Sequence, residues 1–98
     1  MAALRFEWDE QKESDNRRKH RVSFQEAETV FADENALLLA DPDHSEEEDR
    51  YVLLGLSSRA RILLVCHCYR AKESLIRIIS ARRADKRERA QYVERWLK

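Results

Sequence analysis

Residues 75–92 read LIRIISARRADKRERAQY, an apolar run that passes directly into basic and then mixed charged residues. The apolar part has the composition of a β-strand and carries one arginine, Arg77. The charged part follows without a glycine or proline and has the composition of a helix. Such a junction places several cationic donors on rigid elements, which is an arrangement that holds phosphates. The stretch therefore indicates a nucleic acid as partner.

The formal net charge of zero hides a separation of charge along the chain. Residues 59–98 hold twelve Lys and Arg against four Asp and Glu, whereas residues 1–58 hold seven against fifteen. A basic half favours a polyanionic partner, because a binding field depends on the local charge rather than on the sum. The alternative is that the two halves neutralise each other across a folded interface.

The length and composition predict one domain over residues 1–98. A chain of 98 residues with 43% hydrophobic residues can bury one modest core, and one glycine and one proline argue against long linkers. No stretch is apolar enough for a signal peptide or a membrane span, so we expect a cytoplasmic protein without a membrane partner.

The two cysteines, Cys66 and Cys68, lie two residues apart in an apolar run. On a strand this spacing puts both thiols on one face, where a disulfide would strain the backbone, so we expect free thiols. His67 would point to the other face, and the spacing matches no zinc pattern. We therefore expect no metal site and no cofactor.

The hydrophobic pattern predicts an α+β fold with two N-terminal helices, an antiparallel sheet and a C-terminal helix. Asp9 can cap a first helix that ends near His20, and Ser23 with Glu26 forms a capping box for a second helix. Continuous or alternating apolar runs predict strands at residues 4–8, 36–40, 51–57, 61–69 and 75–81, with a turn at 41–45. The last helix is expected at about residues 84–97.

Two motifs, taken in order, resemble one known family. The first is Phe6-Glu7-Trp8-Asp9 followed by Lys12, Asn16, Lys19-His20, Val22-Ser23-Phe24 and Glu26-Ala27. The second is Gly55-Leu56-Ser57, Arg61, Val65, His67 and Arg77-Ile78-Ile79-Ser80-Ala81-Arg82 with Ala84, Glu88 and Tyr92. Over about residues 6–92 the chain resembles the BrnT toxins, small ribonucleases of type II toxin–antitoxin systems. It departs at Arg21, where the family commonly has glycine, so the turn there needs another backbone geometry or tolerates strain.

The resemblance implies a twisted antiparallel sheet of the RelE type and an endoribonuclease that cleaves RNA without a metal and inhibits translation and growth. It also implies a cognate BrnA-like ribbon-helix-helix antitoxin, bound as a heterotetramer, through which alone the toxin reaches operator DNA. RNA can cleave itself once its 2′-hydroxyl is deprotonated and aligned and the phosphate charge is stabilised. The alternatives are a non-catalytic nucleic-acid-binding domain and a degenerate toxin that acts as a co-repressor with its antitoxin.

The candidate catalytic residues are cations that can hold a phosphate or side chains that can move a proton: Arg77, Arg82, His20, His67, Lys19 and Glu88. Arg77 would be costly if simply buried, and an internal salt bridge or an exposed position is its alternative. Arg82 has pairing with Glu88 as its alternative, and His67 has that of a hydrogen-bonded core histidine. Glu88 could orient an arginine or act as a base.

The candidate RNA-binding residues combine cations with aromatic rings that could stack an unpaired base: Trp8, Lys12, Arg61, Arg83, Lys86, Arg87 and Tyr92. In a small domain, aromatic side chains belong to the core more often than to a binding site. We expect the antitoxin to cover the same basic face, because one positive field attracts both partners. The alternative is a remote interface over the C-terminal pair Trp96 and Leu97.

Overall fold

The computed structural model describes residues 4–41, 50–70 and 74–96, which form a sheet with helices packed on it. The elements in chain order are β1 (Arg5–Glu7), α1 (Glu10–His20), α2 (Phe24–Thr29), a 3₁₀ helix (Val30–Ala32), β2 (Leu37–Ala40), β3 (Arg50–Leu56), β4 (Ile62–Arg70), β5 (Leu75–Arg83) and α3 (Lys86–Trp96). The α+β class and the order of helices and strands are confirmed. The turn expected beyond Asp41 and the Trp96–Leu97 contact lie outside the described side chains.

The strands form one sheet in the order β1-β5-β4-β3-β2. β2, β3, β4 and β5 pair antiparallel, but β1 pairs parallel with β5, so the sheet is mixed. The expectation of a wholly antiparallel sheet needs correction at this one pair. β1 and β5 are the first and last strands of the chain, and the hairpin connections that impose antiparallel pairing elsewhere do not link them.

The main core lies between α2 and one face of the sheet, here called the α2 face. Buried side chains of the α2 segment pack against buried side chains of β3, β4 and β5: Val22, Phe24, Ala27 and Val30 against Leu53, Leu63, Val65, Ile76, Ile78 and Ala81. The opposite face, here called the α3 face, carries a smaller cluster in which Ala84 and Tyr92 pack with Leu54 and Leu64. Successive residues such as Leu63 and Leu64 thus belong to different clusters, as strand alternation requires.

The one glycine of the chain lets the 3₁₀ helix approach β3 closely. A Cβ atom on Gly55 would lie 2.9 Å from the Ala36 Cβ and 2.9 Å from the Val30 Cγ1. Real Cβ atoms do not approach other heavy atoms so closely, and both neighbours are themselves packed on the core. Any larger residue would therefore push the 3₁₀ helix away from the sheet.

The ends of α1 follow from its sequence. The Asp9 carboxylate accepts hydrogen bonds from the backbone N–H groups of Gln11 and Lys12, at 2.8 and 3.1 Å, which confirms the predicted cap. Arg21 ends the helix with φ 60° and ψ 30°, and its N–H donates to the Arg17 carbonyl at 2.9 Å. This left-handed conformation favours glycine, so of the two outcomes expected at Arg21 the chain tolerates strain.

Only half of the predicted capping box forms at α2. The Ser23 hydroxyl accepts a hydrogen bond from the Glu26 N–H at 3.0 Å. The Glu26 carboxylate does not reach back; it accepts hydrogen bonds from the Ser57 hydroxyl at 2.7 Å and from the Arg61 guanidinium. A buried carboxylate gains more from a guanidinium and a hydroxyl than from one amide, so the tertiary partner replaces the local one.

Among the described residues, no helix is both long and apolar enough to cross a membrane.

Candidate active site on the α3 face

A β-bulge decides which way the arginines of β5 point. The register between β4 and β5 shifts between Cys66 and His67, because Ile79 is an extra residue in β5. Arg77 and Arg82 are an odd number of residues apart and would point to opposite faces of a regular strand. The extra residue changes the alternation, so both arginines point to the same face.

That shared face is the α3 face. Arg82 lies opposite Leu64, which belongs to the smaller cluster on the α3 face. Arg77 lies opposite Cys68, which is an even number of residues from Leu64 on β4 and therefore points to the same face. The two arginines are five positions apart in the sequence, which corresponds to roughly 15 Å of strand. A strand of RNA that lies along this face can contact both. The arginines of this face near β1 and along β5 are here called the basic track: Arg5, Arg70, Arg77 and Arg82.

Glu7 organises the β1 end of the basic track. It lies opposite Arg77, accepts a hydrogen bond from the Arg77 Nη1 at 2.9 Å and lies 3.7 Å from the Arg70 Nε. Two guanidinium groups share this one carboxylate, so Glu7 cannot neutralise both. The side chain of Arg77 is 33% exposed, which leaves part of its donor fork accessible to a ligand.

Arg82 and Glu88 form a two-point ion pair at the other end of the track. The Arg82 Nη1 and Nη2 donate to the two Glu88 carboxylate oxygens at 2.8 and 2.9 Å. Glu88 also belongs to a reciprocal capping box with Asp85, with bonds of 2.9 and 2.8 Å, and this box begins α3. Hydrogen bonds from Arg82 lower the pKa of Glu88 against the effect of burial. An ionised, fully bonded carboxylate orients its arginine, which favours that role for Glu88 over the role of a base.

Arg82 keeps donors for a ligand although it is paired. It is 40% exposed, and its hydrogen bonds to Glu88 and to the Arg83 carbonyl use three of the five N–H groups of a guanidinium. The ion pair of Arg82 with Glu88, which was the alternative to a catalytic role, is therefore present. It leaves two N–H groups of the Arg82 guanidinium without a protein partner among the described residues.

His20 lies half-buried at the end of α1, close enough to Arg82 to feel its charge. Burial, then the positive charges of Lys19 and Arg82, lower the pKa of His20. A histidine with a lowered pKa is neutral at neutral pH and can accept a proton. Lys19 is exposed beside it. The structure thus places His20 within range of the charge of Arg82, which is paired with Glu88, while Lys19 precedes His20 on α1 and Arg77 lies at the other end of the track.

Asn16 fixes α1 against the edge of β5 next to this site. Its side-chain amide donates to the Ala81 carbonyl at 2.8 Å and accepts from the Ala81 N–H at 3.1 Å, and it also donates to the Val22 carbonyl. Asn16 therefore takes the place of a neighbouring strand at Ala81, immediately before Arg82. This two-way bond sets the position of His20 one helical turn further along α1.

His67 is corrected from candidate catalyst to core residue. Its side chain is 0% exposed, with the Nδ1 at 3.1 Å from the Val65 carbonyl and the Nε2 at 3.3 Å from the Tyr69 hydroxyl. The Phe31 ring packs edge-on against it at 4.8 Å. Burial lowers the pKa of His67. A substrate cannot reach it, because its strand alternation places it on the α2 face under the helices.

Arg61 and Tyr92 are corrected from RNA-binding candidates to structural residues. Arg61 pairs with Glu26, whose side chain is 4% exposed, and its Nη2 also donates to the Arg21 carbonyl at 3.1 Å. Tyr92 is 3% exposed, and its hydroxyl donates to the Asp33 carboxylate at 2.6 Å. The side chains of both residues are hydrogen-bonded to other parts of the protein, and the buried ring of Tyr92 is not accessible for stacking with a base.

The other RNA-binding candidates lie at or near the surface. Trp8 is half-buried and packs edge-on against Phe24, with the ring centroids 6.0 Å apart, which leaves part of the indole accessible. The cations are exposed: Lys12 on α1, and Arg83, Lys86 and Arg87 at the junction of β5 and α3. Their role in RNA binding stays a prediction.

Both cysteines are free, as predicted, and both lie on the α3 face. The Cys66 thiol donates to the Asp41 carboxylate at 3.6 Å, and burial followed by this carboxylate raises the pKa of Cys66 to about 11. Such a thiol is protonated and unreactive at neutral pH.

No three His, Cys, Asp or Glu side chains in the described ranges lie in a group that could hold a metal ion.

Glu7, Arg70 and Asp85 are among the participants that were absent from the sequence-based candidates. Glu7 meets Arg70 and Arg77 only through the parallel pairing of β1 with β5, for which the sequence has no local signal. Asp85 could have been found, because an Asp followed three residues later by a Glu is a helix-start signature.

Comparison with known proteins assigns the chain to a family of ribonuclease toxins. The family model described as "Ribonuclease toxin, BrnT, of type II toxin-antitoxin system" matches residues 8–88. The chain belongs to the BrnT family. That range includes Trp8, the α1 end of the site, the basic track along β5 and Glu88. No curated protein matches the chain.

The fold agrees with this assignment. The crystal structure of the Brucella abortus ribonuclease toxin BrnT superposes on this chain with a TM-score of 0.66 at 22% sequence identity, covering 86% of this chain and 100% of that chain. At this identity the likeness concerns the fold, which is the sheet with helices described above. The predicted family resemblance is confirmed.

Proposed function

We propose that this protein is an endoribonuclease toxin that cleaves RNA on the α3 face, through the substrate's own 2′-hydroxyl and without a metal ion. The observation that carries the proposal is the bulge at Ile79, which turns Arg77 and Arg82 to one face, the second of them near His20. A regular strand would have split this pair between two faces. Membership of a ribonuclease toxin family supports the same conclusion.

In this mechanism His20 accepts the proton of the 2′-hydroxyl, because its lowered pKa keeps the imidazole neutral. The 2′-oxygen attacks the adjacent phosphorus, and the bond to the 5′-oxygen breaks, leaving a 2′,3′-cyclic phosphate and, after protonation from solvent, a 5′-hydroxyl. Arg82, oriented by Glu88, and the neighbouring Lys19 stabilise the charge that develops on the phosphate. Arg77 binds the RNA backbone further along the track.

Cleavage of a short RNA in EDTA tests this proposal. The Arg82→Gln and His20→Gln variants should each lower kcat by about 10²- to 10³-fold, the usual loss when one transition-state contact is removed. Arg95→Gln is the matched control, because Arg95 is an exposed arginine of α3 that donates to the Asn35 carbonyl away from the site. Urea unfolding should show that all three variants remain folded.

The outcomes separate the competing functions. Cleavage in EDTA that yields 2′,3′-cyclic ends and is lost in both site variants supports the proposal. Loss of cleavage in EDTA with recovery in magnesium would refute the metal-independent mechanism. Binding of RNA without cleavage by the wild type would leave the non-catalytic domain or the co-repressor as the function.

We further propose that a BrnA-like ribbon-helix-helix antitoxin neutralises this toxin in a heterotetramer by covering the basic track and the junction before α3. The track and the junction together carry several cations, and a partner segment with acidic residues gains affinity from the same field that attracts RNA. Inhibition then follows from occupation of the site. Through the antitoxin alone the complex would bind operator DNA, and release of the toxin would inhibit translation and growth.

Salt and charge reversal test the location of the antitoxin. Raising the ionic strength should weaken antitoxin binding and RNA binding together, and Arg83→Glu, Lys86→Glu or Arg87→Glu should weaken both. These three side chains are exposed, so the fold should not change. An antitoxin affinity that ignores salt and all three substitutions, while RNA binding responds, would place the antitoxin on another surface.

A further inference from the structure

A second cationic site lies beside the proposed active site, at the end of the sheet where β4 begins and β5 ends. It is a cavity of about 490 Å³, a volume within the range of ligand sites. Three of its lining residues are arginines and none is acidic: Ala60, Arg61, Ile62, Arg83, Ala84 and Arg89.

The arginines of this cavity differ in what they offer. The Arg61 charge is already balanced by Glu26, so Arg61 forms a wall. Arg89 is fixed in place, because its Nη1 donates to the Ala84 carbonyl at 2.8 Å, and its remaining N–H groups are available. In the described part of the chain no carboxylate pairs with Arg83 or Arg89. Two unbalanced guanidinium groups, one of them preorganised, select an anion.

The cavity adjoins the basic track, because Arg83 of the cavity directly follows Arg82 of the track in the sequence, but the two side chains point in different directions. Arg82 lies opposite Leu64 and Arg83 lies opposite Leu63, so the two consecutive arginines point to opposite sides of the sheet. A polyanion held by Arg82 that continues around the end of β5 therefore meets Arg83 next. This geometry fits a chain of phosphates better than a single small anion.

We propose that this cavity binds an internal phosphate of the RNA substrate, distinct from the phosphate that is cleaved. The inference rests on the proposed ribonuclease function and adds to it a requirement of the substrate: RNA long enough to place a second phosphate between Arg83 and Arg89. A dinucleoside monophosphate has only the scissile phosphate and cannot use the cavity, whereas a decanucleotide can.

Cleavage of these two substrates by Arg89→Gln tests the inference. The variant should lower kcat/KM for the decanucleotide about tenfold through KM and leave cleavage of the dinucleoside monophosphate unchanged, because one phosphate contact is lost. Arg95→Gln on the same helix should change neither substrate. Equal effects of Arg89→Gln on both substrates, or no effect on either, would overturn the inference.

Binding of a non-cleavable probe separates this inference from the proposed function. A fluorescent 2′-O-methyl decanucleotide cannot be cleaved through the 2′-oxygen, so its affinity reports binding even if the wild type cuts no RNA. Arg89→Gln should weaken its binding and reduce the slope of log affinity against log salt by about 0.7, the value for one phosphate contact of a single strand. Arg89→Lys should retain that slope, which a merely structural role would not predict. A slope equal to that of the wild type in Arg89→Gln would overturn the inference, and a loss seen only with a 5′-phosphorylated probe would overturn the internal position.

Discussion

Arg61→Gln tests whether Arg61 holds the fold together or binds RNA. Its guanidinium donates to Glu26, whose side chain is 4% exposed, while the Arg61 side chain is 21% exposed. Removing one partner of a buried pair costs about 3–5 kcal/mol, because the other charge stays buried without compensation. The partial exposure of Arg61 and the remaining bond from the Ser57 hydroxyl reduce this, so we expect a loss of about 2–4 kcal/mol.

The assay is urea unfolding at neutral pH, with Arg59→Gln as the control. Arg59 is an exposed arginine of the same β3–β4 turn, and its substitution should change the free energy of unfolding by less than about 0.5 kcal/mol. The double variant Arg61→Gln with Glu26→Gln should recover a large part of the loss, because no buried charge remains.

The pH dependence gives a second criterion. In the wild type, the hydrogen bonds from Arg61 and Ser57 outweigh burial and lower the pKa of Glu26, so this stabilisation is lost as the pH falls. Without Arg61, burial dominates and raises that pKa, so the deficit of the variant is largest at neutral pH and shrinks in acid. A variant that unfolds like the wild type but no longer binds RNA would refute the structural role of Arg61.

Three further predictions concern the backbone and the buried histidine. Gly55→Ala should destabilise the fold by about 1–3 kcal/mol in urea unfolding, because the new Cβ would lie 2.9 Å from the Val30 Cγ1; an unchanged midpoint would contradict this. Arg21→Gly should stabilise by about 0.5–1 kcal/mol, since glycine adopts the left-handed conformation freely, whereas Arg18→Gly inside α1 should cost about 1 kcal/mol, and thermal unfolding of both variants decides. Burial lowers the pKa of His67 below its ordinary 6.5, so the unfolded state binds more protons and stability should fall as the pH drops below that value, by at most about 1.4 kcal/mol per pH unit. His67→Gln should flatten the free energy of unfolding between pH 6.5 and 5, and a curve parallel to that of the wild type would argue against this account.

Local patterns predicted most of the elements because their causes are local. Asp9 caps α1 through backbone groups two and three residues away, and alternation along β4 correctly separates His67 from the two cysteines. The basic junction also survives in the structure as exposed cations between β5 and α3. The chemistry of the candidate site, arginines with a titratable histidine, could therefore be named from the sequence.

The failures have a common physical origin in contacts between distant residues. Glu26 accepts a hydrogen bond from Arg61, 35 residues away, instead of capping its own helix. The Tyr92 hydroxyl donates to Asp33, 59 residues away. A charged or aromatic residue looks the same in sequence whether its partner is RNA or another part of the protein. Only the fold shows that Arg61 and Tyr92 have internal partners.

By itself the sequence determined the α+β class, the family and the separation of charge, because composition, periodicity and motif order are properties of neighbouring residues. The tertiary structure alone decided the parallel pairing of β1 with β5, which brings Glu7 to Arg77. It also decided the bulge at Ile79, since an extra residue in one strand exists only relative to the strand beside it. The face on which Arg77 and Arg82 lie, and with it the proposed site, follows from that pairing.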